Sequence, residues 1–132
     1  MKFRATIFLM VLCLYTENVI GGSVFIYNNL HHGHFLKMRC KSGDNNLGYH
    51  VRRPGGFYTW HFSDHILDKT LYWCHLYKGH NFKDHVVIVA YDDQSFYKKS
   101  NWVRWSVRET GIYQSVNGEE PFHFRYSWNG QF

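Results

Sequence analysis

From Ser23 onward the chain alternates apolar and polar residues in short runs, separated by Gly, Asn, Asp or Pro at intervals near ten residues, a rhythm that predicts strands and turns. In SVFIYNN (23–29), Val24 and Ile26 alternate against Phe25 and Tyr27. In FLKMRC (35–40), Leu36, Met38 and Cys40 fall on one face and Lys37 and Arg39 on the other, so Cys40 is expected to point inward. LGYHVRR (47–53) and FYTWHF (57–62) flank Pro54-Gly55-Gly56 and are expected to pair as a hairpin. TLYWCHLY (70–77) and FKDHVVIVAY (82–91) flank Lys78-Gly79-His80-Asn81 and predict a second hairpin, with Cys74 inward alongside Tyr72 and Leu76 or their neighbours. NWVRWSVRE (101–109) sets Val103, Trp105 and Val107 against Arg104, Ser106 and Arg108, turns at Thr110-Gly111 into IYQSV (112–116), and turns at Asn117-Gly118 into FHFRYSW (122–128). The longest helix candidate, Ser63 to Lys69, is about two turns. About eight strands, each with one apolar face to bury, imply an all-β fold, a two-sheet antiparallel β-sandwich, with a closed barrel as the second architecture. No internal repeat, low-complexity tract or interdomain linker interrupts the pattern.

The N-terminus breaks this rhythm. Lys2 and Arg4 precede an unbroken apolar or small run from Ala5 to Tyr15, the layout of a secretory signal peptide. A helix over that run rises about 16 Å, roughly half of a hydrocarbon core, so it is too short for a membrane anchor. The small residues Gly21, Gly22 and Ser23 offer cleavage sites, and the expected division is a signal over 1–22 and one domain over 23–132. The destination is secreted and extracellular.

Composition then bounds the partners. Removing Lys2, Arg4 and Glu17 with the signal leaves 13 cations against 9 carboxylates, a net charge of +4, and all ten histidines stay in the mature part. Ordinary imidazoles titrate near pH 6.5, so an acidic extracellular fluid raises the charge further. Weak association with anionic cell-wall polymers or membrane surfaces is compatible with that balance. Nucleic acid is not expected, because the cations alternate with acids and histidines along the chain instead of forming one basic face.

Cys13 leaves with the signal, and Cys40 and Cys74 remain. An oxidising secretory route favours joining them; two free thiols or an intermolecular bridge are the alternatives. Chain-entropy reasoning over their sequence separation of 34 gives such a bridge at most about 3.8 kcal/mol.

The ordered set VFIYNNL (24–30), LKMRCKSGDNNLGYH (36–50), the Gly-aromatic-x-Trp-x-Phe run at Gly56 to Phe62, TLYWCHL (70–76), WSVRETGIY (105–113) and the late Trp128 resembles the plant self-incompatibility protein S1 family, also called S-protein homologues. The resemblance covers nearly the whole mature chain. It implies a compact secreted β-sandwich, normally with four cysteines in two disulfides. The family's Cys-x-x-Cys is absent here, its place taken by Ser100 to Arg104, and loss of both members of one bridge supports Cys40 bonded to Cys74. Asn46 stands where the family usually has an acidic residue before Leu-Gly; asparagine suits the same tight bend. The implied function is a non-enzymatic, monomeric signalling ligand recognised by a plant cell-surface receptor protein, as the stigma-expressed family member in poppies triggers rejection of self pollen. Recognition by hydrophilic loops points to KSGDNN (41–46), with Lys41, Asp44 and Asn45, and to YDDQSFYKKSN (91–101), with Asp92, Asp93, Gln94, Lys98 and Lys99.

Other chemistry is weaker. HHGH (31–34), with His75, His80 and His85 elsewhere, has imidazoles but no neighbouring carboxylate or cysteine in sequence, and no metal or other cofactor is expected. No Gly-x-Ser-x-Gly or comparable nucleophile motif occurs, so no enzyme activity and no catalytic residue are expected. Among five tryptophans, Trp60, Trp105 and Trp128 are expected in the core, whereas Trp73 and Trp102 are the ones to inspect for exposure. Exposed rings would favour the alternative function, an extracellular carbohydrate-binding module. His50 and His61 are expected to be hydrogen-bonded, half-buried rings, and Arg52 and Arg53 a solvated hairpin tip. Asn-x-Ser/Thr does not occur, so N-glycosylation is not expected.

Overall fold

A computed structural model describes residues 21–63, 70–93 and 100–130. Nine strands form where the pattern predicts about eight: β1 (Gly21–Asn28), β2 (Leu36–Lys41), β3 (Asn46–Arg52), β4 (Phe57–Ser63), β5 (Leu71–Lys78), β6 (Asp84–Asp92), β7 (Ser100–Arg108), β8 (Gly111–Val116) and β9 (His123–Tyr126). Short 3-10 turns follow at His80–Phe82 and Trp128–Gly130. The helix candidate at 63–69 lies outside the described residues apart from Ser63, which ends β4.

The strands build two facing sheets, β4-β1-β7-β8-β9 and β3-β2-β5-β6. Period-two alternation explains the layering: Val24 and Ile26 from one sheet, and Leu36, Met38, Cys40, Cys74, Leu76 and Ile88 from the other, are completely buried between the layers. Each such aliphatic side chain contributes about 1.5–3 kcal/mol on leaving water. Trp105 crosses the layers, its Nε1–H donating to the Ala90 carbonyl at 3.0 Å. Trp60 and Trp105 are buried and Trp128 packs partly buried against the core, as their alternation predicts. Gly22 is required by packing: a Cβ there would lie 2.8 Å from both the Phe62 and the Tyr91 rings.

Three expectations are corrected. The first sheet is mixed, because β1 pairs parallel with β7, placing Val24 beside Val103 and Ile26 beside Trp105. The β3–β4 hairpin does not form: β3 pairs with β2, and β4 pairs with β1. Pro54-Gly55-Gly56 is instead a corner that carries the chain from one sheet to the other. The reason is Asn28, a buried polar residue at the third inward position of β1. Its backbone N–H donates to the Gly56 carbonyl at 2.9 Å and its carbonyl accepts from Gly55 N–H at 2.8 Å. Its side-chain Nδ2 donates to the carbonyls of His34 (3.0 Å) and Arg52 (2.9 Å), while Oδ1 accepts from Leu30 N–H at 2.9 Å. Arg52 is therefore no solvated tip: its Nε–H donates to the Phe57 carbonyl at 2.9 Å and its guanidinium lies 5.3 Å from the centre of the Tyr58 ring. Arg53 is exposed.

The outer edge of β6 is capped by the C-terminal segment. Val89 N–H donates to the Tyr126 hydroxyl at 3.1 Å and His85 N–H to Asn129 Oδ1 at 3.3 Å, which occupies backbone groups that would otherwise template another strand.

Candidate functional site

Cys40 and Cys74 are direct partners across β2 and β5 and form a disulfide that is completely buried in the core. The staple is placed one residue before the first candidate loop. Beyond Lys41 the chain reverses through Ser42–Asn45: Ser42 N–H donates to the Asn45 carbonyl at 2.7 Å, and Ser42 Oγ–H donates to Asp44 Oδ1 at 3.1 Å. Asn46 Oδ1 then accepts from Gly48 N–H at 3.0 Å, so the asparagine closes this bend with its own side chain. Asp44 and Asn45 are exposed, and Lys41 extends its ammonium over the Trp73 ring, 5.8 Å from its centre.

The second candidate loop begins at the same end of the sandwich. Asp93 Oδ2 accepts from Thr70 N–H at 3.0 Å and Asp93 N–H donates to the Thr70 carbonyl at 3.1 Å. Asp92 ends β6 opposite Leu71. A cleft of about 770 Å³ opens here, lined by the 42–45 turn, Phe62, Ser63 and Thr70–Trp73. Thr70 thus joins Asp93 to the cleft wall that Asp44 and Asn45 complete. Gln94, Lys98 and Lys99 lie outside the described residues.

The opposite end carries the His31–His34 segment, which leads into β2. His31 and His32 are exposed, whereas His34 Nδ1 meets Glu109 Oε1 at 3.0 Å, and the same oxygen accepts from His31 N–H at 3.2 Å. Lys78 lies between Asp84 (3.1 Å) and Glu109 (3.5 Å), with its ammonium 4.8 Å from the centre of the Trp128 ring. Burial pushes the Glu109 carboxyl up, but hydrogen bonds from His34 and His31, with the Lys78 charge, outweigh it and hold the group below the ordinary glutamate range. Asp84 is held below its ordinary value chiefly by the Lys78 hydrogen bond. Glu109 supplies the carboxylate missing from the local sequence, yet among the described residues no three His, Cys, Asp or Glu side chains converge as metal ligands.

Sequence reasoning missed Asn28, Lys78 and Glu109. The signal for Asn28 was available: an amide on the inward parity set by Val24 and Ile26. His50 is half-buried as expected, with Nε2 2.8 Å from the Leu47 carbonyl; His61 is exposed, although its Nδ1 is 2.6 Å from Ser23 Oγ. His75 stacks on His85 with ring centres 5.1 Å apart, and burial, then the His85 and Lys41 charges, press its pKa down. Of the two tryptophans inspected for exposure, Trp73 is half-buried and Trp102 is 41% exposed. Arg104 lies 5.3 Å from the Trp102 ring centre and Gly118 neighbours its six-membered ring, so part of this exposed ring is already occupied by the protein.

Comparison with known proteins agrees with this architecture. The family described as plant self-incompatibility protein S1 matches residues 23–128. S-protein homolog 9 of Arabidopsis thaliana is 38% identical over 135 residues, covering 95% of this chain and 98% of the relative. S-protein homolog 8 of the same plant is 37% identical over 109 residues, 80% of each chain. A solved structure, described as an SPH (self-incompatibility protein homologue) from a widespread family of small, highly stable, secreted plant proteins, shares the fold with a TM-score of 0.69 at 22% identity, over 85% of this chain and 97% of that one. The family pattern runs from within β1 to Trp128, and the two relatives above are covered over 80% and 98% of their length: the chain belongs to the plant self-incompatibility protein S1 family, the S-protein homologues.

Proposed function

We propose that this protein is a secreted, monomeric signalling ligand that a plant cell-surface receptor protein recognises through the 41–46 turn and the segment beginning at Asp92. It acts by binding, without a catalytic step. The observation that carries this reading is the position of the disulfide: it anchors the root of the exposed turn to β5, whose first residues form the facing wall of the cleft. A turn held this way loses little conformational freedom on contact, so more of the interaction energy appears as affinity. Exposed loops can then differ among relatives while the buried layers stay fixed. A family that contains small, highly stable, secreted plant proteins is consistent with an extracellular ligand.

Exchange of residues 41–46 and 91–101 for those of another family member tests the proposal. Labelled mature protein is applied to plant cells that respond to either parent. The expected result is that surface labelling follows the loops. Labelling that follows the scaffold refutes the loop assignment.

A further inference from the structure

The outward face of the β3-β2-β5-β6 sheet bears a row of cations with no ion-pair partner among the described residues. Lys37, Arg39 and Lys41 alternate with the core residues of β2, so their Cα atoms are spaced by about 6.8 Å and the row spans about 14 Å. Cross-strand register places Arg39 beside Tyr49 of β3, and Lys37 and Lys41 beside Tyr77 and Trp73 of β5. Two cations elsewhere have carboxylates, Lys78 with Asp84 and Glu109, and Arg104 with Glu120 at 3.1 Å, whereas Arg52 donates to the Phe57 and Val51 carbonyls and Arg108 to Ser106 Oγ. Among the described residues no carboxylate lies within ion-pair distance of the three β2 cations. The Arg39 Nε–H is enclosed and has no hydrogen-bond acceptor among the described residues.

The rings on this face serve the cations. Lys37 lies 4.8 Å from the Tyr49 centre and 5.6 Å from that of Tyr77; Arg39 lies 5.3 Å from Tyr49 and donates to its hydroxyl at 3.3 Å. Two of the protein's own cations already approach the Tyr49 ring and compete with a stacked base there, and the outward residues of β6 include the short Val87 and Val89, a shallow wedge for a bilayer. What the face presents is a straight line of positive charge and N–H donors on a sheet, the complement of an extended chain with regularly repeated carboxylates.

We propose that this face binds a linear acidic polysaccharide, with the sugar carboxylates paired to Lys37, Arg39 and Lys41. The surface meets the receptor-binding turn only at Lys41, the last residue of β2, so it holds the ligand in an anionic extracellular matrix while residues 42–46 remain free.

Binding of mature protein is measured with four probes: polygalacturonate, the same polymer fully methyl-esterified, phosphatidylserine-containing vesicles, and single-stranded DNA. Polygalacturonate is expected to bind best and in a salt-sensitive way, with esterification weakening it by about tenfold or more. The triple variant K37Q/R39Q/K41Q is expected to lose about tenfold in affinity with an unchanged melting temperature, whereas R53Q/R125Q, which removes two cations from other surfaces, retains binding. Equal binding of the esterified polymer, or an equal loss in R53Q/R125Q, overturns the proposal in favour of net charge. Tighter binding to vesicles or DNA overturns the choice of ligand. The ester comparison needs no variant, and a loop exchange over 42–46 that keeps Lys41 leaves matrix binding unchanged, so this result and that of the receptor experiment are separable.

Discussion

Removing the Asn28 amide tests how one buried polar side chain organises the corner between the sheets. Asn28 is completely buried, and its side chain makes three hydrogen bonds, donating to His34 and Arg52 carbonyls and accepting from Leu30 N–H. At about 1 kcal/mol net for each bond, Asn28→Ala loses about 3 kcal/mol. The Leu30 N–H, buried and left without its acceptor, adds about 1 kcal/mol. A total of about 3–4 kcal/mol is a large share of the ~5–15 kcal/mol that holds a typical domain together, and lowers Tm by about 15 °C. Urea and thermal unfolding of the oxidised mature protein, followed by circular dichroism, measure it. Asn28→Asp keeps the acceptor for Leu30 but sets a carboxylate against two carbonyls, so it is expected to be at least as damaging. A loss below about 1 kcal/mol in Asn28→Ala refutes the reasoning, since it means that the amide's bonds add nothing beyond those it makes with water.

Three further outcomes are expected. The double variant C40A/C74A loses about 3–4 kcal/mol by unfolding midpoint, consistent with a 34-residue separation, and still folds to the same β-rich spectrum. Gly22→Ala forces its new methyl against the Phe62 and Tyr91 rings and costs about 1–3 kcal/mol in urea unfolding. Glu109 has its folded pKa below the unfolded value of about 4.3, so its contribution is full above that pH and is lost as pH falls through the folded pKa. Glu109→Gln is therefore less stable at neutral pH, and the gap from wild type narrows on acidification; a gap that stays constant to low pH contradicts the ion-pair account.

The layering was legible because period-two alternation marks inward positions wherever one face is apolar, as at Leu36, Met38 and Cys40. Pairing was less so. Pro54-Gly55-Gly56 has the chemistry of a hairpin turn, but turn residues permit a reversal without choosing the partner strand, and Asn28 made that choice from 27 residues earlier in the chain. The parallel β1–β7 contact joins strands separated by most of the domain and leaves no local trace. At the candidate site, the polar 41–46 turn could be read directly. Its juxtaposition with Thr70 and Asp93 could not, because it depends on the β2–β5–β6 register. The same holds for Glu109, which meets His34 across 75 positions of sequence.

Site-specific photo-crosslinking measures the central claim most directly. A photoreactive residue is placed at Asp44 in the turn, or at His31 on the opposite end of the sandwich, and each labelled protein is irradiated on responsive plant cells. Capture of one membrane protein from position 44 and not from position 31 is the result this account requires. Capture from position 31 alone contradicts it.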